Sequence, residues 1–491
     1  MRRKASLRLV LYLGCFCAMG STQPYNHVIE LMSNLYSEGG SIDFGTQRSL
    51  SAASAAKLAS GGLRIQDSKV IPSDYTLTFW PCYPTGGEAQ CAQSKLYTFD
   101  ALSSMRATVR ERTREVVVHA KELRVFSATI SGVPGVRVRA VSLDENRRWL
   151  RVRLTAPLPR GARFTLRFWY SGRLHEKSDF RGLGAYVGSY RHEGKLRHSV
   201  ATQLEKEYAR TILPCLDHPE YKASFQVSII HPLDTVALNN MPQLTREPIG
   251  NGWQRTTFGR TPKMSTYLLA MVVGDLRKAQ SAVLSNGAEV SIYAIPGLEA
   301  YAADSLQTAV ASLKHFGRAF SLNYTLPKLD VVMTPGKHGA MENWGLILHD
   351  PSLLAVEPQL QSSGYVRVTR DVVAHEIAHN WFGNWATMRW WDDLWLNEGF
   401  ATFLSPAGVR AAVPSRNRTA DIEDKQLVAH YGLLFDASAR AKPLHHERGS
   451  AYTKGSLLIS MLESTIGSLS GSSERINSLP ARPRPRECRL H

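Results

Sequence analysis

Between residues 65 and 275 apolar and polar side chains alternate in short runs of period two. The runs 75–79 (Tyr-Thr-Leu-Thr-Phe), 116–119 (Val-Val-Val-His) and 164–169 (Phe-Thr-Leu-Arg-Phe-Trp) are typical. Gly, Pro and Asp punctuate them, so the pattern predicts strands joined by turns. Apolar runs at 227–230 and 267–273 continue it. After 276 the period lengthens. Helical spacing over 303–320 leads into an apolar strand at 329–333 and then a glycine-rich turn. Helices are expected again around 372–379, 423–435 and 454–466. The pattern describes an α+β multidomain chain, with an N-terminal β-rich domain of saddle or sandwich type at 65–275 and a mainly α domain at 276–466.

The ends read differently. Met1-Arg2-Arg3-Lys4 precedes a short apolar run from Leu9 to Met19, with small residues at Ala18 and Gly20. That is the form of a signal peptide over 1–20, too short for a stable membrane anchor. No other stretch approaches the length of a transmembrane helix. Residues 21–64 are polar and rich in small side chains, as in a linker or pro-segment. From 467 to 491 Ser, Pro and Arg dominate, and this basic tail is expected to be disordered. The expected location is the secretory pathway, either secreted or peripherally associated with the cell surface.

At 491 residues with 43% hydrophobic content the chain can build two or three cores. Its net charge of +17 raises the question of nucleic acid. The arginines answer it, because they alternate with apolar residues, as in Leu150-Arg151-Val152-Arg153-Leu154. That spacing gives the solvated face of a half-buried sheet, and no nucleic-acid-binding motif accompanies it. Cys82 and Cys91 flank a turn-rich loop and are a candidate disulfide in an oxidising compartment. Cys215 reads as a buried free thiol, and Cys488 has no evident partner. Asn323 and Asn417 open Asn-x-Thr sequences and are candidate glycosylation sites.

Residues 375–379 read His-Glu-Ile-Ala-His. On a helix His375 and His379 fall one turn apart on one face, within reach of a single zinc ion. Glu376 is then placed to take a proton from water. A catalytic zinc needs a third protein ligand, and Glu398 in Asn-Glu-Gly-Phe supplies it. The surrounding Val372, Val373, Ala374, Ile377 and Ala378 make this helix apolar and therefore buried, and buried imidazoles and carboxylates need partners. A second helix starts near 390–398, with Asp392 or Asp393 available as its cap. The cofactor expected is one Zn(2+) per chain.

Upstream lies Gly339-Ala340-Met341-Glu342-Asn343-Trp344-Gly345. Its glycines permit close backbone approach of a ligand, and Glu342 brings another carboxylate toward the metal. With both motifs the chain resembles the zinc aminopeptidases of the aminopeptidase N type, the gluzincin aminopeptidases. The resemblance covers about residues 65–466 and includes Ala-Arg-x-x-x-Pro-Cys-Leu-Asp at 209–217. It implies a thermolysin-like, mainly α catalytic domain at 276–466. It also implies that Gly339, Ala340, Met341, Glu342 and Asn343 form an edge strand over the active site, with Glu342 holding the substrate's α-ammonium. By the same resemblance Glu205, in Thr202-Gln203-Leu204-Glu205, lines the first specificity pocket. Tyr452, in Tyr452-Thr453-Lys454-Gly455, stabilises the oxyanion.

Three departures from the family pattern stand out. The interval between Glu398 and Tyr452 is shorter than usual, with the shortage near 443–450. His218 replaces a glutamate after Asp217, a change expected to be structural. Family members continue beyond Ile466 into a long helical domain that closes the cleft, and this chain is expected to lack it. The leading reading is a zinc aminopeptidase acting on peptides with a free N-terminus, with Glu376 as general base. A catalytically weak or inert binding protein of the same fold is the alternative. A thermolysin-like endopeptidase is a third reading, disfavoured by the Glu342 segment. The oligomeric state and the preferred N-terminal residue stay open.

Overall fold

The computed structural model describes residues 68–176, 184–413 and 448–470. The expected signal peptide, the linker, the 423–435 helix, Asn417 and Cys488 lie outside the described residues. Strands dominate the N-terminal part and helices follow from residue 303, as the period change predicts.

Among the described residues the strands form sheets of seven, five, five and three strands. The strand Val70–Cys82 sits inside the largest. It pairs in parallel with Ser224–Pro232 and antiparallel with Thr98–Val109. Its alternation puts Tyr75, Leu77 and Phe79 on the buried face, where Tyr75 stacks on Phe225 with ring centroids 5.2 Å apart. Burying side chains of this size stabilises by roughly 1.5–3 kcal/mol each. In the three-stranded sheet Leu150, Val152 and Leu154 point inward, while Arg151 and Arg153 point outward to Glu115. These two arginines therefore lie on the outer face of a sheet, as their spacing implied.

The 209–217 motif has a structural explanation. Arg210 is fully buried, and its guanidinium donates to the Asp217 carboxylate at 2.9 Å, to Glu207 at 2.9 Å and to the Asp217 carbonyl at 3.1 Å. Asp217 also accepts from Thr266 Oγ1 at 2.8 Å. His218 stacks on Trp390, with centroids 4.5 Å apart, so its replacement of a carboxylate is accommodated by packing. Cys215 is buried and free, and Cys82 is bonded to Cys91 across a loop whose Cα atoms lie 5.8 Å apart.

A second five-stranded sheet carries the site's edge. Lys328–Met333 is its middle strand, buried at every position, with parallel neighbours Glu289–Ala294 and Leu346–His349. Burial on both faces explains the apolar Leu329, Val331, Val332 and Met333, while the buried Lys328 and Asp330 pair with each other at 2.6 Å. Ala340–Met341 pairs antiparallel with Leu346–His349 and ends the sheet. Helix α1 (Ala303–Ala319) buries Leu306, Ala309, Leu313 and Phe316, the stripe its spacing predicted.

Three further α-helices follow among the described residues. Helix α2 (Ser363–Ala378) is capped by Ser362, whose hydroxyl accepts from the Tyr365 amide, and Arg370 fixes it to α1 through Asp304. Helix α3 (Trp395–Ala412) differs from expectation at its start. A 3-10 turn over Trp391–Asp393 runs straight into it, and the N-cap is Leu394, already in helical geometry. Neither Asp392 nor Asp393 is the cap, because the chain makes no break where one would be needed. Helix α4 (Arg448–Ser470) includes residues 467–470, read from the sequence as the start of the tail. Among the described residues no helix is long and apolar enough to cross a membrane.

Candidate metal centre

Helix α2 ends at the site. His375 lies in its last turn and His379 is its C-cap, so both imidazoles leave one face one turn apart. Glu398, in the first turn of α3, comes in from the crossing helix. His375 Nε2 lies 3.0 Å from His379 Nε2. Glu398 Oε2 lies 3.3 Å from the former and 3.2 Å from the latter. A tetrahedral zinc with N and O donors at about 2.0–2.1 Å needs donor spacings of roughly 3.3–3.4 Å. The triangle matches that requirement within a few tenths of an ångström.

The chemistry of the donors agrees. His379 Nδ1 lies 2.9 Å from the Phe382 carbonyl and donates to it. In the neutral ring this leaves a lone pair at Nε2, aimed at His375 and Glu398. Thr402 Oγ1 approaches His375 Nδ1 at 3.5 Å from the other side. His379 and Glu398 are buried and His375 is nearly so. Lone pairs and a carboxylate converging in a buried triangle fit a divalent cation.

Other acids crowd the same space. Glu376 is buried, and its Oε2 has no hydrogen-bond partner among the described residues. Burial holds its pKa well above the ordinary value; His379 opposes this, while Glu342 and Glu398 reinforce it. Glu342 is likewise raised, by burial and by Glu398, against the pull of His379. Burial works against ionisation of Glu398 too, yet the two histidines hold it far below the carboxylate range. For His379, burial opposes protonation but Glu342 and Glu398 carry its pKa well above the usual value. Tyr452 is raised by burial first, then by Glu398, Glu205, Glu342 and Glu376. Its ring stacks on His375, with centroids 5.7 Å apart and planes 17° apart. The candidate residues from five segments thus converge on one place.

The edge strand frames this space. Gly339 takes a positive φ of 67°, Ala340–Met341 pair with the sheet, and Glu342 and Asn343 turn inward and are buried. Glu205 is buried just past the strand Lys195–Gln203, whose Gln203 side chain contacts the Met341 sulfur at 3.2 Å. Asn323, on the surface after α1, is exposed.

Sequence reasoning missed the supporting groups. Thr402 could have been found, because it lies four residues after Glu398 and so on the same helix face. The Phe382 carbonyl had no signal, since any residue offers one. Asn384, which donates to the Glu342 carbonyl at 2.8 Å, was also missed.

Three donors around one point, two buried and the third nearly so, with further carboxylates beside them, form a candidate metal centre. The chain belongs to the M1 peptidase family. Residues 71–268 match the peptidase M1 N-terminal domain and residues 304–472 match the peptidase family M1 domain. The chain is 33% identical to the puromycin-sensitive aminopeptidase of Caenorhabditis elegans over 77% of its length and 38% of the relative's. It is 35% identical to aminopeptidase N of Rattus norvegicus, over 71% of this chain and 36% of that one. Endoplasmic reticulum aminopeptidase 1 of Homo sapiens is 36% identical over 65% and 34%. The chain therefore spans well under half the length of these curated relatives.

Proposed function

We propose that this chain is a zinc-dependent aminopeptidase that hydrolyses the first peptide bond of peptides with a free N-terminus. The observation that carries the reading is the place of Glu342. It is a buried carboxylate in electrostatic contact with His379 and Glu398 at the end of a sheet edge. A carboxylate there takes a positive amine and holds it a fixed distance from the metal ligands, so only the first peptide bond reaches them. Glu205 adds negative charge to the same amine pocket, and Gly339 to Asn343 offer backbone to the substrate.

His375, His379 and Glu398 would hold zinc, which when bound would supply Lewis-acid polarisation of the scissile carbonyl and acidification of water. Glu376 would accept the water's proton and return it to the leaving amine, the role of a general base and acid. The Tyr452 hydroxyl donates to the carbonyl oxygen as negative charge builds on it. The amino-terminal run and Asn323 accord with a secreted or cell-surface glycoprotein, and this location is part of the proposal.

The test is hydrolysis of matched peptides with free and acetylated N-termini, with bound zinc quantified. Cleavage restricted to the free peptide supports the reading. Cleavage of both would make the chain an endopeptidase, and stoichiometric zinc without turnover would make it a binding protein.

A further inference from the structure

The turn that follows the zinc helix does two jobs at once. Its Phe382 carbonyl accepts from His379 Nδ1, and Gly383 passes so close to that ring that a Cβ there would lie 3.1 Å from Nδ1. The next residue, Asn384, is fully buried. Its amide N–H donates to the His379 carbonyl at 3.0 Å, and its side-chain Nδ2 donates to the Glu342 carbonyl at 2.8 Å. One short turn therefore touches both a metal ligand and the residue that would anchor the substrate amine.

The same turn is gripped from the β-rich side. Lys222 Nζ donates to the carbonyls of Asn384 at 3.2 Å and Trp385 at 3.0 Å. The Tyr267 hydroxyl donates to the Gly383 carbonyl at 3.1 Å and accepts from Asn397 Nδ2 at 3.2 Å. Asn397 is the neighbour of Glu398. The turn is thus tied to both metal-ligand segments and to the Glu342 strand.

We infer that Asn384 is a positioning residue that sets the distance between the metal triangle and Glu342, and so fixes where the substrate amine is held. This rests on the aminopeptidase reading. Glu342 follows the two-residue edge strand Ala340–Met341, in an irregular segment. Asn384 supplies a buried bond from the turn behind His379 to the backbone of Glu342 itself. Removing the Nδ2 donor leaves the Glu342 carbonyl unpaired in a buried site, and the segment shifts to recover a partner. Displacement by a fraction of an ångström weakens an ammonium–carboxylate contact without touching the three metal donors.

The test compares binding of an amino-acid hydroxamate with its des-amino counterpart by calorimetry on zinc-loaded protein, wild type, Asn384→Ala and Lys222→Met. The hydroxamate group is common to both ligands, so the affinity ratio reads the amine contact alone. Wild type favours the amine-bearing ligand, and in Asn384→Ala the ratio falls about five- to tenfold with zinc stoichiometry unchanged. Lys222→Met, which loosens the turn from the other side, lowers the ratio in the same direction. A folded variant that keeps the wild-type ratio overturns the inference, and so does a ratio that falls only because zinc is lost. Failure of both variants to fold makes the turn a stability element and equally rejects it. An absent amine preference in the wild type rejects the aminopeptidase reading together with it.

Discussion

Gly399 and Gly455 meet backbone to backbone where α3 crosses α4. A Cβ on Gly399 would lie 2.8 Å from the Gly455 Cα, and one on Gly455 would lie 3.0 Å from the Gly399 Cα. Gly399 follows Glu398 and Gly455 stands three residues after Tyr452, so this crossing brings the proposed oxyanion donor up to the metal ligands. Gly455→Ala is expected to wedge the helices apart at a cost of about 1–3 kcal/mol. It should lower kcat toward the level of Tyr452→Phe, a loss of about 10²–10³-fold, while zinc stays bound. Steady-state kinetics with zinc analysis checks this, and a Gly455→Ala protein with normal kcat would separate Tyr452 from the chemistry.

Glu376 is a buried carboxylate with an oxygen lacking any partner among the described residues. Glu376→Gln removes the proton-accepting carboxylate but keeps the shape. Turnover should drop about 10²–10⁴-fold. The melting temperature should hold or rise, since a buried like-charged neighbour of Glu342 and Glu398 is gone. A fall in both stability and zinc content would instead mark Glu376 as a structural group.

Chelation should destabilise the fold. Glu398 and two imidazoles are held 3.0–3.3 Å apart. A cation bound only to the folded state stabilises by about 2.7 kcal/mol at a hundredfold excess over its Kd. Calorimetric melts with chelator and with added zinc are expected to differ, with the difference absent in Glu398→Gln.

One source of acid sensitivity lies away from the metal. His231 is buried, its ring bonded to Thr235 and Thr256. Burial, with Arg246 nearby, lowers its pKa from 6.5 to about 4. The folded state thus resists protonation that the unfolded chain accepts. Its contribution is complete above pH 6.5, declines as the pH falls, and is lost once the pH passes about 4. Over that window the change is roughly 3 kcal/mol. His231→Gln should flatten the pH dependence of urea melts between these limits. An unchanged slope would rule His231 out as the source.

Local patterns carried much of this structure in the sequence. The period-two runs gave strands such as Val70–Cys82, and the two histidines one turn apart gave the metal face of α2, because both depend on side chains close in the chain. What could not be read depends on distant pairing or on backbone. The parallel pairing of Tyr75 with Phe225 joins segments far apart in sequence. The Phe382 carbonyl beside His379 carries no side-chain signature, and the cap expected at Asp392 or Asp393 was pre-empted by a 3-10 turn. The Gly399–Gly455 crossing lay hidden for the same reason, since a glycine's purpose is visible only once its neighbour is known.

The grip of Lys222 and Tyr267 on the 383–385 turn bears on how this molecule could be cut or recombined. Every metal ligand comes from the helical half, which invites treating that half as a transplantable unit. Yet the turn that orients His379 and reaches Glu342 is held by side chains from the sheets before it. A graft of residues 276–466 alone would carry the ligands without their scaffolding. The inheritable unit is the pair.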